Sequence, residues 1–508
     1  MSNTTEREKV EKIQTHIEGF DQIGDGGLPK GRCSLITGTA GSAKTVFAIH
    51  FLVAGIEHSD EGGVFVTFEE TPDDIRKNMS SMGWDIPAWE SKGKWMFVDA
   101  APDPTEEIIE AGSYDLGALL ARIESAVNKI GAKRLALDSL GGIFYRFADD
   151  ILLRRELLRI SRALKEMNLT TVLTAERDSE TGEISRYGVE EFVADSVIIL
   201  RNAREEEKRR RTIEILKYRG AMHHKGEFPF TVIPTRGVVV IPLSAIELKQ
   251  KSSDVRIASG NADLDRMCGG GFFRDSLVLV SGATGCGKTL LSTEFIAGGV
   301  TSGERCLLFA FEESREQLFR NATGWGVDFK AFEDAGLLKV VCEYPESAGL
   351  EDHLLRMQTL MTEYQPRRMA VDSVSALERV AGVKGFREFI IGLTSFTKAR
   401  EITGLFTSTT PSLMGGESVT EAHFSTITDS IILLRYVEMF GEMRRGLAVL
   451  KMRGSMHEKD IREFSIDNQG MHIGKPFRNV TGILAGHPTQ LIGTEVERMS
   501  DLFKDGPI

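Results

Sequence analysis

Short apolar runs alternate along the chain with segments of helical length, and turns rich in glycine separate them. Six of the apolar runs have the length and the flanking turns of buried strands. They span residues 33–37, 63–68, 133–137, 277–281, 306–311 and 368–371. Helices are predicted over residues 46–56 and 290–299, after the first and the fourth of these runs. The succession of strand and helix predicts an α/β fold in which mostly parallel sheets are flanked by helices.

The same succession of signatures occurs twice. A glycine-rich loop recurs at an offset of 244 residues, a pair of glutamates at 243, and an aspartate that follows an apolar strand at 234. A Lys-x-Arg-Gly sequence also recurs at 234. Four ordered matches with small drift indicate the duplication of one domain. A polar, irregular stretch supplies a linker, so we predict a first domain over residues 1–245 and a second over 246–508, with a tail from about residue 476.

Composition narrows the class of protein. The 508 residues are 41% hydrophobic and 27% charged, as in globular proteins, and the formal charge of −12 disfavours indiscriminate attraction to DNA or to an anionic membrane. The first twelve residues are polar, and no apolar run approaches the roughly 18 residues of a membrane span, so the sequence predicts a cytoplasmic protein. Five cysteines without CxxC spacing indicate buried thiols rather than disulfides or a zinc site.

The first strand of each half leads into a phosphate-binding loop related to Gly-x-x-x-x-Gly-Lys-Thr. In such a loop backbone N–H groups face the phosphates, the lysine reaches the outer phosphates and the threonine hydroxyl helps to hold magnesium. The residues expected to bind ATP are Gly38, Thr39, Ala40, Gly41, Ser42, Ala43, Lys44 and Thr45 in the first domain, and Gly282, Ala283, Thr284, Gly285, Cys286, Gly287, Lys288 and Thr289 in the second. The first loop departs from the pattern because Ala43 replaces its second glycine.

An aspartate ends an apolar strand in each domain. In a P-loop fold, a carboxylate at this position holds the magnesium ion, partly through water. We therefore assign Asp138 and Asp372 to magnesium, together with Thr45 and Thr289 of the loops. The sequence predicts ATP and Mg²⁺ as the cofactors of both domains.

A pair of glutamates ends the strand after each P-loop helix: Glu69 and Glu70 in the first domain, Glu312 and Glu313 in the second. A carboxylate at this strand end would lie beside the γ-phosphate, where it could orient or deprotonate an attacking water or hydroxyl. An isolated acidic pair usually forms a solvated turn, but duplication at matching positions favours catalysis. We predict that these four residues are catalytic.

A basic cluster also recurs late in each domain. It consists of Lys217, Arg219, His223 and Lys225 in the first domain, and of Lys451, Arg453, His457 and Lys459 in the second. Such a cluster could close on the phosphates of ATP bound by an adjacent subunit, as an arginine finger does. We therefore count these residues as candidate ATP contacts at a subunit interface. The alternative is a solvated basic hairpin.

This set of motifs resembles the KaiC family of circadian-clock ATPases and autokinases, within the RecA-like P-loop superfamily. The resemblance covers nearly the whole chain and includes residues 99–104, 187–192, 344–353 and 401–406. It implies two tandem RecA-like domains that stack as the two rings of a homohexamer, with ATP between neighbouring subunits. It further implies that the N-terminal ring hydrolyses ATP and that the C-terminal ring phosphorylates and dephosphorylates itself.

The family's phosphoacceptors are an adjacent serine and threonine in a His-x-Ser-Thr-Ile-Thr-Asp context, which this chain contains at residues 423–429. The resemblance therefore implies Ser425 and Thr426 as the acceptors. The internal repeat agrees with this assignment, because the offset of 234 places Glu191 and Phe192 opposite them, and neither carries a hydroxyl group. One domain would then hydrolyse ATP onto water only, while the other also has a hydroxyl acceptor.

The resemblance also implies roles for other residues. It implies that Glu312 is the base that activates the acceptor hydroxyl, that Glu313 assists, and that the glutamate pair of the first domain serves hydrolysis. It implies nucleotide contacts for Ser81 and Trp325, and it places Thr420 in the surroundings of the transferred phosphate. Return of the phosphate to ADP would be the route of dephosphorylation.

A KaiB-like protein on the N-terminal ring is the partner that the resemblance implies. The tail from Leu491 onward differs from the cyanobacterial tail that KaiA captures, so the sequence leaves control by a KaiA-like protein open. It also leaves open whether the output is a circadian rhythm or another timing or stress signal. The number of subunits, the ATPase rate of each ring and the effect of Ala43 stay open as well.

Two other classes of protein share such loops. A RecA- or DnaB-like DNA-dependent ATPase draws support from the basic run at residues 208–211, but three glutamates precede this run and favour a self-compensated, solvated hairpin. A nucleotide-gated scaffold without turnover is the other alternative. The intact Lys44, Lys288 and glutamate pairs disfavour it.

Overall fold

The computed structural model of the protein describes residues 10–101, 116–144, 150–186, 193–205, 208–242, 253–410, 426–439, 441–478, 480–483 and 489–490. These residues fall into two compact units, one within Met1–Ile246 and the other within Glu247–Ile508. We refer to them as the first and the second domain. Each is built around one nine-stranded sheet.

The first domain begins with short elements that precede its P-loop strand. Its strands are β1 (Lys12–Ile13), β2 (Leu28–Pro29), β3 (Cys33–Gly38), β4 (Gly63–Thr67), β5 (Trp95–Asp99), β6 (Arg134–Asp138), β7 (Thr170–Glu176), β8 (Ser196–Glu205), β9 (Lys208–Tyr218), β10 (Glu227–Ile233) and β11 (Gly237–Val240). Its helices are α1 (Phe20–Ile23), α2 (Lys44–Ser59), α3 (Pro72–Ser80), α4 (Ile86–Ser91), α5 (Leu116–Ile130), α6 (Gly141–Phe144) and α7 (Asp150–Glu166).

The second domain repeats this order. Its strands are β12 (Arg256–Ile257), β13 (Phe272–Phe273), β14 (Leu277–Gly282), β15 (Cys306–Ala310), β16 (Leu338–Cys342), β17 (Arg368–Asp372), β18 (Thr403–Thr409), β19 (Ser430–Met439), β20 (Glu442–Met452), β21 (Arg462–Asp467), β22 (Gly470–Pro476), β23 (Val480–Thr481) and β24 (Thr489–Gln490). Its helices are α8 (Ala262–Met267), α9 (Lys288–Thr301), α10 (Arg315–Gly324), α11 (Phe329–Asp334), α12 (Leu350–Tyr364), α13 (Val374–Glu378) and α14 (Val383–Ala399), and Pro345–Ser347 forms a 3₁₀ turn.

The two large sheets have the same topology. The first runs β11-β10-β9-β8-β3-β7-β6-β4-β5 and the second β22-β21-β20-β19-β14-β18-β17-β15-β16. Six strands of each sheet are parallel, and the other three form an antiparallel extension. The prediction of an α/β fold with mostly parallel sheets is confirmed. The P-loop strand lies inside each sheet, so the carboxyl ends of its parallel neighbours surround the loop, which is where ligands of open α/β sheets bind.

Each P-loop helix begins two residues earlier than the apolar pattern predicts. The pattern detects side chains, whereas the helix starts with the lysine and the threonine of the loop, whose backbone already forms the first turn. Residues 47–55 of α2 are all buried, so this helix lies inside the domain rather than on its surface. Close packing around the buried helix holds its N-terminal end, which faces the phosphate site, in place.

A buried arginine joins the P-loop helix to the sheet in each domain. Arg134 is only 1% exposed; its Nε lies 2.7 Å from Glu61 Oε2, and Nη1 donates to Phe51 O of α2 at 3.0 Å. Arg368 repeats these contacts with Glu304 at 2.5 Å and with the carbonyl of Phe295 in α9. A guanidinium is tolerated at such depth because a carboxylate and several carbonyls satisfy its donors.

The five cysteines are free thiols, as the sequence predicts. Cys33, Cys268, Cys286 and Cys306 are buried, and Cys342 is half-buried. Within the described ranges, the helices are too short or too polar to cross a bilayer.

Candidate nucleotide sites of the two domains

The two P-loops place their lysines in the same way. Lys44 Nζ donates to the carbonyls of Gly38 and Thr39 at 2.9 and 3.0 Å. Lys288 Nζ donates to those of Gly282 and Ala283 at 3.0 and 2.9 Å. Each ammonium is therefore held against its loop at the N-terminus of a long helix, where unpaired N–H groups and the helix dipole favour an anion.

The residue before each lysine adopts a left-handed backbone. φ is 73° at Ala43 and 111° at Gly287. Glycine adopts positive φ freely, whereas a Cβ in the left-handed region costs roughly 1–2 kcal/mol. A Cβ at Gly287 would also lie 3.0 Å from Ile466 Cδ1. The first loop thus keeps the geometry of the second at a conformational cost.

The predicted magnesium ligands are brought together in the first domain. Thr45 Oγ1 donates to Asp138 Oδ2 at 2.7 Å, and Thr174 Oγ1 donates to Oδ1 of the same carboxylate. In the second domain Thr407 Oγ1 donates to Asp372 Oδ1. A carboxylate and a hydroxyl are oxygen ligands of the kind that Mg²⁺ prefers. These residues fit a magnesium ion, which would neutralise phosphate charge when bound.

The first glutamate of each pair lies beside the strand that ends in the aspartate. Thr67 pairs with Asp138, so the residues that follow these two strands meet at one edge of the sheet. Ser139 Oγ donates to Glu69 Oε1 at 2.9 Å, and Ser373 Oγ donates to Glu312 Oε2 at 3.1 Å. The peptide bond between aspartate and serine is cis in both domains.

The second glutamate of each pair is held by an asparagine. Asn78 Nδ2 donates to Glu70 Oε2 at 3.1 Å, and Asn321 Nδ2 donates to Glu313 Oε2 at 3.0 Å. Burial raises the pKa of Glu313, and the negative charge of Asp372 adds to this rise. A raised pKa brings a carboxylate closer to the range in which it exchanges protons near neutral pH.

The serines, asparagines and threonines that hold these carboxylates are absent from the site predicted by sequence. Each recurs in the repeat, at offsets of 234 (139 and 373), 243 (78 and 321) and 233 (174 and 407). A search for polar residues that recur beside the predicted catalytic groups would have found them. Their bonds, however, are visible only once the strands are aligned.

The basic clusters lie beside the amino-terminal end of each P-loop strand, whereas the P-loop follows its carboxyl end. Tyr218, which ends β9, pairs with Ser196, and Ser196 pairs with Ser34 at the start of the P-loop strand. Lys217 Nζ donates to Ala194 O at 2.9 Å, and Lys451 Nζ donates to Thr428 O at 2.7 Å. The structure therefore does not bring these clusters to the P-loop of their own domain.

The other members of the clusters follow β9 and β20. Four of them are exposed and two are half-buried; the exposed ones are Arg219, Lys225, Arg453 and Lys459, and the half-buried ones are His223 and His457. Burial lowers the pKa of His223. The exposed arginines and lysines thus face solvent, and Arg453 Nη1 also lies 3.9 Å from Asp429 Oδ1.

Thr426, the second of the two predicted acceptors, lies next to one of these arginines. Thr426 is exposed, and Arg453 Nη2 donates to its carbonyl at 2.7 Å. Ser425 lies outside the described residues, as do Thr420, Glu191 and Phe192.

Ser81 and Trp325 occupy equivalent positions at the ends of α3 and α10. Ser81 is exposed and donates to Asn78 O at 2.6 Å, so it lies one turn from the asparagine that holds Glu70. Trp325 packs against the hydrophobic core. Ser81 and Trp325 thus follow, by three and four residues, the asparagines that hold Glu70 and Glu313.

The basic run at residues 208–211 forms the start of β9. Arg209 donates to Asn202 O at 2.8 Å, and Arg211 Nε donates to Gly41 O of the first P-loop at 3.3 Å. Arg210 is 9% exposed and lies 3.8 Å from Glu205. The expectation of a solvated hairpin is wrong for Arg210, because strand pairing turns its side chain inward. Arg211 is a P-loop contact that sequence reasoning missed.

The family model described as "ATPase: KaiC" matches residues 13–245 and again residues 257–477, so it covers both domains and both candidate sites. The chain belongs to the KaiC ATPase family. The resemblance stated from the motifs is thereby confirmed, and the two matches coincide with the two repeats that the offsets define. Residues 246–256, which include most of the polar stretch between the repeats, lie outside both matches.

KaiC-family relatives match along nearly their whole length. The circadian clock protein KaiC3 of Synechocystis sp. is 67% identical over 500 residues, which are 98% of this chain and 99% of the relative. The circadian clock oscillator protein KaiC of Parathermosynechococcus lividus is 53% identical over 99% of this chain and 93% of its own length. That of Synechococcus elongatus is 51% identical over 99% and 96%. The chain is therefore a KaiC-family ATPase with two domains.

Proposed function

We propose that the protein is a timing ATPase whose first domain hydrolyses ATP and whose second domain phosphorylates and dephosphorylates Ser425 and Thr426. The active form is a homohexamer in which each ATP lies between two subunits. ATP and Mg²⁺ are the cofactors. The relatives named as circadian clock proteins support a role in a clock or in a related timing or stress signal.

The contact between Arg453 and Thr426 is the observation that carries this proposal. It joins an exposed acceptor to the basic cluster expected to meet phosphates. Ser430, four residues after Thr426, pairs with Val278 at the start of β14, whereas the P-loop begins at Gly282. Four strand residues span about 13 Å, so the acceptor and the P-loop of its own chain lie at opposite ends of the P-loop strand. This separation does not arise if the phosphate comes from ATP bound by a neighbouring subunit.

In the transfer step, Glu312 takes the proton of the acceptor hydroxyl while the acceptor oxygen forms a bond to the γ-phosphorus. The bond between that phosphorus and the bridging oxygen breaks, and ADP leaves. The reverse step returns the phosphoryl group to ADP. Lys288 binds the outer phosphates, and Glu313 supports Glu312. In the first domain Glu69 and Glu70 direct water in the same way, with Lys44 on the phosphates.

Ser81 and Trp325 contact the nucleotide in their respective domains. The basic clusters, with Arg219 and Arg453 as their guanidinium groups, contact ATP across the interface. A KaiB-like protein that binds the first ring is the partner we propose by family analogy. Phosphorylation measured with and without a KaiA-like protein tests whether such a protein acts on the tail.

Incubation with γ-labelled ATP, followed by mapping of the labelled residues by mass spectrometry, tests the autokinase. Label is expected on Ser425 and Thr426 of the wild-type chain and is expected to be lost in Glu312→Gln. Absence of label at both residues of the intact protein, with and without KaiA-like and KaiB-like proteins, would contradict the proposal. Phosphate release that persists after replacement of both glutamate pairs would contradict the catalytic assignment.

Mixed oligomers test transfer between subunits. One chain carries Glu312→Gln and keeps its acceptors; the other carries Ser425→Ala and Thr426→Ala and keeps its catalytic glutamate. Neither is labelled alone, but we expect label on the Glu312→Gln chain after the two are mixed and allowed to exchange subunits. If wild type is labelled and the exchanged mixture is not, transfer occurs within one chain.

A further inference from the structure

Arg435 is a buried cation beside the second P-loop. The residue is 5% exposed, and its Nε has no hydrogen-bond partner. Nη1 lies 3.4 Å from Thr410 Oγ1, and Thr410 N donates to Gly282 O, the first carbonyl of the loop, at 3.1 Å. In the part of the chain that the structure describes, no carboxylate lies within ion-pair distance of Arg435. The guanidinium therefore sits one residue away from the loop without a counter-charge.

The equivalent arginine of the first domain is neutralised. Arg201 Nη2 lies 2.6 Å from Glu214 Oε2, and Nη1 lies 3.1 Å from Glu227 Oε1. Strand register makes the comparison direct: Ile199 pairs with Glu214 in the first sheet, and Leu433 pairs with Ala448 in the second. The positions of the two glutamates are thus taken by Ala448 and, at the same offset of 234, by Ile461.

A third carboxylate, that of Glu180, contacts a residue of the first P-loop. Thr39 Oγ1 donates to Glu180 Oε1, and Asn202 N donates to Glu180 Oε2 at 3.0 Å. Arg177 is also buried there, and Arg211 donates to Gly41 O, so this region of the first domain holds three guanidinium groups and three carboxylates. The matching region of the second domain, as far as the structure describes it, holds the guanidinium groups of Arg435 and of Arg445, which is the counterpart of Arg211, and neither lies within ion-pair distance of a described carboxylate.

A buried guanidinium without a charged partner is unfavourable unless an anion approaches it. The phosphorylated form of the chain's own Thr426 is too distant, because Arg435 lies five residues beyond Ser430, about 16 Å along the strand. The anion that the fold brings to this edge of the sheet is the polyphosphate of a nucleotide on the P-loop.

We infer that Arg435 is a charge determinant of the second nucleotide site, where its guanidinium favours binding of a nucleoside polyphosphate, while the equivalent charge of the first domain is cancelled by Glu214 and Glu227. This inference rests on the proposed function, since it takes a nucleotide on the second P-loop as given. It makes the two sites electrostatically different although their loops share one geometry.

The test places the missing carboxylate into the second domain. Full-length protein with Lys44→Ala, which removes the P-loop lysine of the first site, is titrated with the magnesium complex of a non-hydrolysable ATP analogue. Ala448→Glu is expected to weaken binding about tenfold because it neutralises Arg435, and Arg435→Gln is expected to do the same. Ala448→Gln, which has the size of glutamate without its charge, is the matched control and is expected to leave the Kd unchanged.

Salt gives a second readout, since a screened charge effect shrinks as ionic strength rises. Equal weakening by Ala448→Glu and Ala448→Gln would assign the effect to packing and overturn the inference, as would an unchanged Kd in both Ala448→Glu and Arg435→Gln. Should either residue 448 variant fail to fold, Arg435→Gln decides. If the Lys44→Ala protein shows no binding that Lys288→Ala abolishes, the proposed function fails instead.

The reciprocal change gives an independent check in the first domain. Glu214→Ala in a Lys288→Ala chain removes one of the two carboxylates from Arg201. Binding of the same analogue at the first site is expected to tighten about threefold. Glu214→Gln serves as its control for size and is expected to tighten binding equally, because the lost charge is the same. An effect of Glu214→Ala that Glu214→Gln lacks would contradict the electrostatic reading.

Discussion

The two domains share the contacts that hold the predicted catalytic glutamates and differ in the groups that would decide which reaction each domain performs. Ser139 and Ser373 hold the first glutamates, Asn78 and Asn321 the second, at nearly the same distances. The serine bonds join the ends of adjacent strands, and the asparagine bonds join a strand end to the helix that follows it, so both follow from topology. A hydroxyl acceptor, a neutralising carboxylate or a loop glycine, by contrast, depends on single positions that can change without disturbing the sheet.

The largest expected effect separates the two chemistries. Glu312→Gln should slow phosphorylation of the second domain by about 10²–10⁴-fold, because it removes the base, while phosphate release by the first domain continues. Glu69→Gln should do the reverse. Site-resolved labelling and phosphate release, measured on both variants, check this. Equal loss of both activities in either variant would mean that the domains do not divide the work as proposed.

Loss of the buried arginine should destabilise the first domain more than the second. Arg134→Met leaves Glu61 without its partner and should cost about 4 kcal/mol of unfolding free energy. Arg368→Met should cost about 3 kcal/mol, since Glu304 keeps Arg274 at 2.8 Å. Denaturant unfolding measures both. Arg266→Met, in an exposed pair, is the control and should cost less than about 1 kcal/mol; an equal cost at 134 and 368 would refute the role of Arg274.

The contributions of His50 and Glu294, which occupy equivalent positions in the two P-loop helices, to the free energy of unfolding should depend oppositely on pH. His50 Nδ1 accepts from Val238 N, and burial lowers the pKa of His50 to about 4, below the ordinary 6.5. The unfolded chain therefore protonates first, so this stability is present above pH 6.5 and is lost as pH falls towards 4, by up to about 3 kcal/mol. Burial raises the pKa of Glu294, which accepts from Met471 N, so its contribution is lost as pH rises instead.

Unfolding measured from pH 4 to 7 checks this contrast. His50→Asn keeps an acceptor near the position of Nδ1 but does not titrate, and it should flatten the loss of stability at low pH. Glu294→Gln should remove the opposite slope. A wild-type profile that His50→Asn leaves unchanged would show that the imidazole is not the group responsible.

The smallest expected effect concerns the loop residue before the lysine. Gly287→Ala should destabilise the second domain by about 1–2 kcal/mol, because φ is 111° and the new Cβ would contact Ile466. Ala43→Gly should stabilise the first domain by less than about 1 kcal/mol, since relief of the positive φ is offset by a more flexible unfolded chain. Thermal unfolding of both variants measures the pair. Stabilisation by Gly287→Ala would contradict this account.

Much of the fold follows from local pattern. The strands that precede the P-loops are apolar over five or six residues and end in glycine, and this alone locates β3 and β14 within one residue. Helix starts were predicted less well, because a helix that begins with Lys44 and Thr45 has no apolar residue in its first two positions. The two-domain division follows from the repeat, which needs no structure to be seen.

The site was predictable only in part. Lys44, Asp138 and Glu69 carry motif signals, and their strand ends meet as expected. Thr174 and Asn78 carry no motif and only recur in the repeat, since a threonine in a strand and an asparagine in a helix are ordinary residues until their donors point at a carboxylate. The charge of the basic clusters predicts phosphate contacts, but the sequence does not indicate where the clusters lie. Strand pairing places them at the end of the strands away from the P-loop of their own domain.

By itself, the sequence determined the duplicated α/β fold and the two P-loops and predicted the catalytic groups, because each of these depends on the order and spacing of residues along the chain. Only the tertiary structure decided which charges are cancelled and at which end of the strands the predicted acceptor Thr426 lies. Arg201 and Arg435 occupy equivalent positions of the two repeats, yet Arg201 pairs with two glutamates, whereas no carboxylate among the described residues lies within ion-pair distance of Arg435. A charge interacts through space, so its effect is set by residues that are distant in sequence and adjacent in the sheet.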